Sequence, residues 1–223
     1  MGVAAEIIAI GNELLLGDVL DTNSHWLCQR LTGLGAEVRQ VRQIRDDLQA
    51  IASAIRSGCE ARSRLIITTG GLGPTQDDLT LQGVALGLGL RLIRHPVAVE
   101  WVRAKYRHLE QLGYVDTAEM TAPREKMAML PEGAEPLANQ LGAAPGVRLA
   151  FGETTIVCLP GVPAELRDIF EGSFRPILGS LLGSAYYAQW QATVACGDES
   201  VLAPILRQIG DGHPQLVTVH PGR

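Results

Sequence analysis

Aromatic side chains make up only 4% of the 223 residues, so a core here has to be assembled from Ala, Val, Leu and Ile. Basic runs are missing and the formal net charge is -5. Broad nucleic-acid binding is therefore not expected, because neutralising phosphates takes a clustered Lys/Arg surface. Cys28, Cys59, Cys158 and Cys196 stand far apart with no Cys-x-x-Cys pair. That suggests neither a zinc site nor a disulfide framework, and the four are read as buried reduced thiols. No apolar run approaches the ~20 residues of a membrane span, and no basic flank precedes an apolar stretch at the N-terminus. A cytoplasmic location with no membrane partner follows as the expectation. Walker-type Gly-Lys-Ser and Gly-x-Ser-x-Gly are both missing, which disfavours covalent nucleophilic catalysis. His25, His95, His108, His213 and His220 lack metal spacing and read as surface or helix-face residues.

What is present is a folded α/β pattern. Hydrophobic residues reach 46% against 19% charged, enough to supply a core. Ala4 to Ile10 reads as a buried parallel strand closed by Gly11. Asp21-Thr22-Asn23-Ser24 offers N-caps for a helix carrying Leu27, Leu31 and Leu34 and ending at Gly35. Glu37 to Ile44 is a second strand. Asp46 or Asp47 then caps a helix with a stripe of Leu48, Ile51, Ala52 and Ile55. Leu65 to Thr69 is a third strand, followed by a glycine-rich turn and a helix that Asp77 and Asp78 lead into, running to about Leu88. Such alternation implies a parallel sheet with helices on both faces, a three-layer α/β/α sandwich.

Further along, Pro96 starts a helix to about Leu112, and Met120 to Pro145 reads as an irregular excursion packed by Met120, Met127 and Met129. Thr154 to Leu159 is a strand, Ala164 to about Phe174 a helix, and Gly179 to Ser184 a linker. Tyr186 to Ala195, Ser200 to Ile209 and Leu216 to Val219 read as strand, helix and strand of a small α+β tail. The tail is too short to bury a core alone. It is expected to pack on the main domain, to pair with another chain, or to open a larger module, and a homo-oligomer is expected.

Acidic residues and bare backbone coincide just after strands, where open α/β sheets bind ligands. Gly11, Asn12, Glu13 and Asp18 follow the first strand. Thr69, Gly70, Gly71, Gly73, Thr75, Asp77, Asp78 and Thr80 follow the third, and Pro160 and Gly161 follow the late one. The glycine turn exposes amides at a helix N-terminus, a combination that suits a phosphate; a merely structural turn is the bland alternative. Asp77 and Asp78 are either helix caps or, with Glu13 or Asp18, ligands of a divalent cation bridging protein and phosphate.

Taken in order, Gly11-Asn12-Glu13-Leu14-Leu15, Asp21-Thr22-Asn23-Ser24, Thr68 to Thr75, Asp77 to Thr80 and Leu159 to Pro163 resemble the CinA (competence/damage-inducible protein A) family over about Ala5 to Phe174. Asn139 to Gly146, with Pro145 and Gly146, resembles a further family segment that joins the pocket. The resemblance implies the fold of molybdenum-cofactor biosynthesis proteins. It implies a domain over residues 1–180 that holds a pterin or nucleotide phosphate with Asn23 among the binding residues, and a partial KH-type subdomain over 185–223. The tail lacks a Gly-x-x-Gly loop, so RNA binding is not expected of it. The resemblance further implies metal-dependent ADP-ribose pyrophosphatase activity and places a deamidase in a separate C-terminal domain not expected in this chain. In that scheme Asp78, Glu13 and Asp77 are catalytic and Asp78 and Asp18 hold a Mg, Mn or Co ion. Two alternatives stand beside it: a molybdopterin-binding or adenylyl-transferring protein, and a non-enzymatic competence-related module.

Overall fold

The computed structural model describes residues 2–182 and 198–213. The chain divides into two compact units, Met1–Tyr187 and Ala188–Arg223.

In the first unit, β1 (Val3–Ile10) is buried along seven of its eight residues, as a parallel strand covered on both faces must be. Gly11 ends it and a single short turn of helix, α1 (Asn12–Leu16), follows. α2 (Thr22–Gly33) begins where the Asp21 carboxylate accepts from the Ser24 amide at 2.9 Å. β2 (Ala36–Ile44) leads to α3 (Leu48–Glu60), whose stripe places Ile51, Ala52 and Ile55 inside. β3 (Leu65–Thr69) is wholly buried, and α4 (Thr80–Leu88) closes the third unit. β4 (Leu92–Arg94) then precedes α5 (Pro96–Gln111), which has Pro at its start and His95 as N-cap. α6 (Ala122–Lys126), β5 (Met129–Pro131), β6 (Glu135–Leu137), β7 (Gly146–Phe151) and β8 (Thr154–Leu159) complete the sheets.

The main sheet has the order β2-β1-β3-β8-β7-β6, with β2, β1, β3 and β8 parallel and β7 antiparallel to both neighbours. β4 and β5 form a separate antiparallel ribbon. The chain leaves β1 toward β2 on one side and returns to β3 on the other, so the crevice beyond β1 and β3 is the switch point at which such sheets take ligands.

Two cores flank the sheet. Ile8, Ile10 and Ile66 pack with Ile51, Ile55, Val84 and Val102 of α3, α4 and α5. Ile7, Leu65 and Ile67 pack on the other face with Leu27, Leu31, Phe170 and Phe174. The mostly parallel three-layer arrangement is the one expected. The scarce aromatics nevertheless gather: Trp26, Phe170 and Phe174 meet edge to face at 5.2 and 5.7 Å.

Three expectations need correction. The excursion Met120 to Pro145 contains α6, β5 and β6, whose three-residue strands are too short to show a period, and the six-residue β7 follows it. The linker at Gly179 is helix. α7 (Pro163–Ile169) runs through one π turn, Phe170–Phe174, into α8 (Arg175–Leu182), because Leu178 and Leu182 continue the buried line of Phe170 and Phe174 while Gly179 is exposed. Of the thiols, Cys158 is buried, Cys28 and Cys59 are half-buried, and Cys196 lies outside the described residues. Burial pushes the Cys158 thiol up to about 11, so it is inert at neutral pH.

In the second unit α9 (Ala203–Gly212) follows a 3-10 turn at Glu199–Val201, close to the expected helix. The two expected tail strands, and most of the KH-type assignment, fall outside the described residues. Among the described residues no helix is long and apolar enough to cross a membrane.

Candidate functional site

A cavity of about 430 Å³ opens beyond the carboxyl ends of β1, β3 and β8. The glycine turn forms its floor. Gly70 and Gly71 both adopt positive φ, 101° and 65°, and there is no room for side chains. A Cβ on Gly70 would overlap the Ile10 carbonyl, and one on Gly71 the Thr80 hydroxyl. The turn is tied from beneath: Thr80 Oγ1 donates to Gly70 O at 2.8 Å, its own amide donates to Gly71 O at 3.2 Å, and Gly70 N donates to Leu159 O at 3.0 Å.

Carboxylates ring this floor. Glu13 and Asp78 lie over Gly11 and Gly73, where a Cβ would meet their oxygens at 2.5 and 2.6 Å, so bare backbone makes room for each. Asp77 and Asp78 precede α4 without capping it. Its N-cap is Leu79, and no side chain bonds there. Both close the loop on Thr75 instead: Asp78 Oδ2 accepts from the Thr75 amide at 2.8 Å and its hydroxyl at 2.7 Å, and Asp77 accepts from the same hydroxyl. That hydroxyl holds the Asp77 carboxyl below the ordinary aspartate range. Lys126 donates to Thr75 O beside them, and partial burial lowers its amine despite the pull of Asp78 and Asp77.

Sequence reasoning missed Asp46, Tyr106 and Glu165, which also line the cavity. Two aspartates stand before α3. Asp47 caps the helix, accepting from the Ala50 amide at 2.8 Å, and this leaves Asp46 to accept from the Asn12 amide at 2.8 Å. The doubled Asp was the available signal, since one helix uses one cap. Partial burial pushes the Asp46 carboxyl up, as do Glu13 and Asp77, against the opposing Asn12 amide. An aspartate raised above its ordinary 3.8 takes up its proton earlier in the folded than in the unfolded chain. Stability therefore falls as pH climbs through the interval above 3.8, and the deficit persists at neutral pH. Asp46→Asn keeps an acceptor for Asn12. It is expected to raise the neutral-pH melting temperature by ~2 °C and to flatten its dependence on pH above that value. Identical melting-against-pH curves for the two proteins would contradict this.

Of the expected site residues, Gly11, Glu13, Gly70, Gly71, Gly73, Asp77, Asp78, Pro160 and Gly161 border the cavity. Asn12, Thr75 and Thr80 stand behind it through the bonds just given. Asn23 ties two strand ends together, donating to Thr69 Oγ1 at 3.0 Å and Gly161 O at 2.7 Å, and Thr69 Oγ1 donates to Pro160 O at 3.3 Å. Pro145 and Gly146 are buried at the start of β7, where a Cβ on Gly146 would meet Ile169 at 2.8 Å. Their neighbours Ala143 and Ala144 reach the cavity. Asp18 is not among the lining residues: it is exposed after α1, its amide turned to Glu13 O at 3.0 Å.

Fold and site together are those of an α/β domain whose cavity, bordered by bare backbone and carboxylates, lies at the switch point of a mostly parallel sheet. The chain belongs to the CinA-like branch of the probable molybdopterin binding domains, whose family model matches residues 6–180. The crystal structure of CinA, a protein with unknown function, from Thermoplasma acidophilum is 33% identical, covers 81% of this chain and 98% of its own, and superposes with a TM-score of 0.71. A protein of Aeropyrum pernix is 44% identical over 218 residues, 97% of this chain and 78% of its own length. The molybdopterin biosynthesis enzyme MoaB of Thermus thermophilus, 21% identical with a TM-score of 0.53 over 85% of this chain and 99% of its own, shares the fold.

Proposed function

We propose that this domain binds a phosphorylated pterin of the molybdopterin type, together with a divalent cation, in the cavity beyond β1, β3 and β8. One observation carries the reading: amides suited to a phosphate and five carboxylates, Glu13, Asp46, Asp77, Asp78 and Glu165, border the same space. An anionic ligand placed there meets five like charges, among them Asp46, whose carboxyl is raised first by partial burial and further by Glu13 and Asp77. A counter-charge is needed, and these hard oxygens suit Mg, Mn or Co. Among the described residues no three of His, Cys, Asp or Glu form a ready cage, so the ion would complete its shell from phosphate and water. Asp78 would hold it with Asp77, Glu13 or Asp46 beside it, Asp46 taking the place expected of Asp18. Such an ion supplies charge neutralisation and polarises a phosphate oxygen. The Gly71 to Gly73 amides would cradle the phosphate, the Gly70 amide being held by Leu159 O, and Asn23 would fix the rim.

A second reading adds chemistry, either adenylyl transfer or hydrolysis of ADP-ribose. Asp46 supports it, a carboxylate that borders the cavity and is held by the Asn12 amide at 2.8 Å, where it could take a proton from water. A non-enzymatic competence-related module has only the absence of chemistry to recommend it and draws no support from this carboxylate-rich cavity. The exposed Leu15, Leu16, Val19 and Leu20 support association into a homo-oligomer, which sedimentation equilibrium reads directly. A cytoplasmic location goes with this reading.

Calorimetric titration with molybdopterin and with ADP-ribose, each with and without Mg²⁺, tests it. Molybdopterin is expected to bind at least tenfold tighter when the ion is present. Cation-independent binding, or none, would overturn the reading, and Mg²⁺-dependent release of AMP from ADP-ribose would establish the second.

A further inference from the structure

The cavity lining outside the glycine turn includes a different chemistry. Tyr106 of α5 borders it, with Met127, Ala143, Ala144 and Val162 as further apolar lining. One face of the Tyr106 ring is covered by the Arg124 guanidinium, 3.9 Å from the ring centroid. Arg124 is itself fastened, donating to Thr117 O at 2.7 Å and Glu119 O at 2.6 Å. The ring is half-buried against the core and also borders the cavity, and a ring fastened in this way is a platform for a second flat ring where it meets the cavity. Glu165 on α7 borders the same cavity and is also held in place. Asn139 Nδ2 donates to Glu165 Oε2 and to Ala144 O, both at 2.8 Å, while Asn139 Oδ1 accepts from the Leu141 and Gly142 amides at 3.1 and 2.8 Å. Gly142 leaves bare backbone against this carboxylate, so any side chain there would displace it.

We propose that this part of the lining is a heterocycle subsite in which Tyr106 stacks on a flat ring and Glu165 reads its edge, selecting guanine- or pterin-type rings over adenine. The inference rests on the cavity being a phosphoryl-ligand site. A carboxylate offers about four acceptor positions, and Asn139 occupies one of them. Guanine and pterin present a ring N–H beside an exocyclic amino group, two parallel donors that match the carboxylate fork. Adenine presents one donor beside a ring nitrogen whose lone pair would face the carboxylate, leaving that polar contact unmade and like partial charges opposed. A site built for paired donors thus rejects the ring that lacks one.

The full chain is titrated calorimetrically with GMP, AMP and inorganic phosphate in the presence of Mg²⁺. GMP is expected to bind at least ~10-fold tighter than AMP. Tyr106→Ala is expected to weaken GMP at least ~10-fold while leaving inorganic phosphate unchanged, with Tyr106→Phe retaining the affinity. Glu165→Gln offers one donor and one acceptor and should bring GMP and AMP within about threefold of each other. It serves as the test should Tyr106→Ala fail to fold. Equal GMP and AMP affinities in the unaltered protein, or an unchanged preference in Glu165→Gln, would overturn the subsite. Phosphate binding with no preference for either base would remove the subsite and leave the glycine turn standing; no binding of any of the three would remove both.

Discussion

Asp78→Asn is expected to lower cation-dependent ligand affinity by about a hundredfold while moving the melting temperature by less than ~2 °C. The two effects separate because Asp78 performs two tasks that need different things of it. Its Oδ2 accepts from the amide and hydroxyl of Thr75, which shapes the loop after the glycine turn, and an amide oxygen can still accept. Its negative charge has no substitute in asparagine, and that charge is what a divalent ion requires. Asp78→Ala removes both tasks and is expected to cost about 1 kcal/mol of stability in addition, the usual size of a lost turn or cap bond. Titration and thermal melts of the two variants side by side read this out. Unchanged affinity in Asp78→Asn would take the cation away from Asp78.

Gly70→Ala has the largest expected effect on the fold, a loss of about 3 kcal/mol or more. Its φ of 101° already excludes most side chains, and the new Cβ would overlap the Ile10 carbonyl, which is backbone and cannot turn aside. Relief would require the end of β3 to part from β1 and would strain the bond on its other side, from Gly70 N to Leu159 O of β8, at the centre of the sheet. Gly152 supplies the control. Its φ is 57° but nothing lies within 4 Å of its Cβ position, so Gly152→Ala should cost only about 1 kcal/mol. Urea denaturation of both proteins reads the difference. Equal losses would show that backbone conformation alone, and not the contact with β1, makes Gly70 necessary.

Much of this fold is legible in the chain because its central elements satisfy several constraints at once. β1 and β3 are short apolar runs ended by glycine, and α3 carries a full stripe from Ile51 to Ile55. The β4-β5 ribbon and β6 offer three residues each, and their pairing is decided by contacts distant in sequence. The helix through Leu182 hid behind Gly179, a breaker by propensity that burial of Leu178 and Leu182 overrides.

The site divides the same way. Glycines and carboxylates after strands could be read because strand ends converge in a parallel sheet. Asp46, two residues past Ile44, reads as a helix cap, and Glu165, four past Gly161, falls in the first turn of a helix, where an acidic residue has a local use. Tyr106 sits in the middle of a helix whose one face is buried, and only the tertiary fold turns it toward the cavity. Asp18 shows the converse: near a strand end in sequence, it follows the single turn of α1 and is not among the residues that line the cavity.

The central claim is that one cavity takes a phosphorylated ligand and a divalent ion together. A crystal of the protein grown with Mn²⁺ and GMP, with anomalous differences measured at the manganese edge, tests it most directly. The expected result is an anomalous peak bound by Asp78 and the ligand phosphate, with the phosphate on the amides of Gly71 to Gly73. A phosphate seated elsewhere, or manganese bound away from Asp78 with the glycine turn empty, would contradict it.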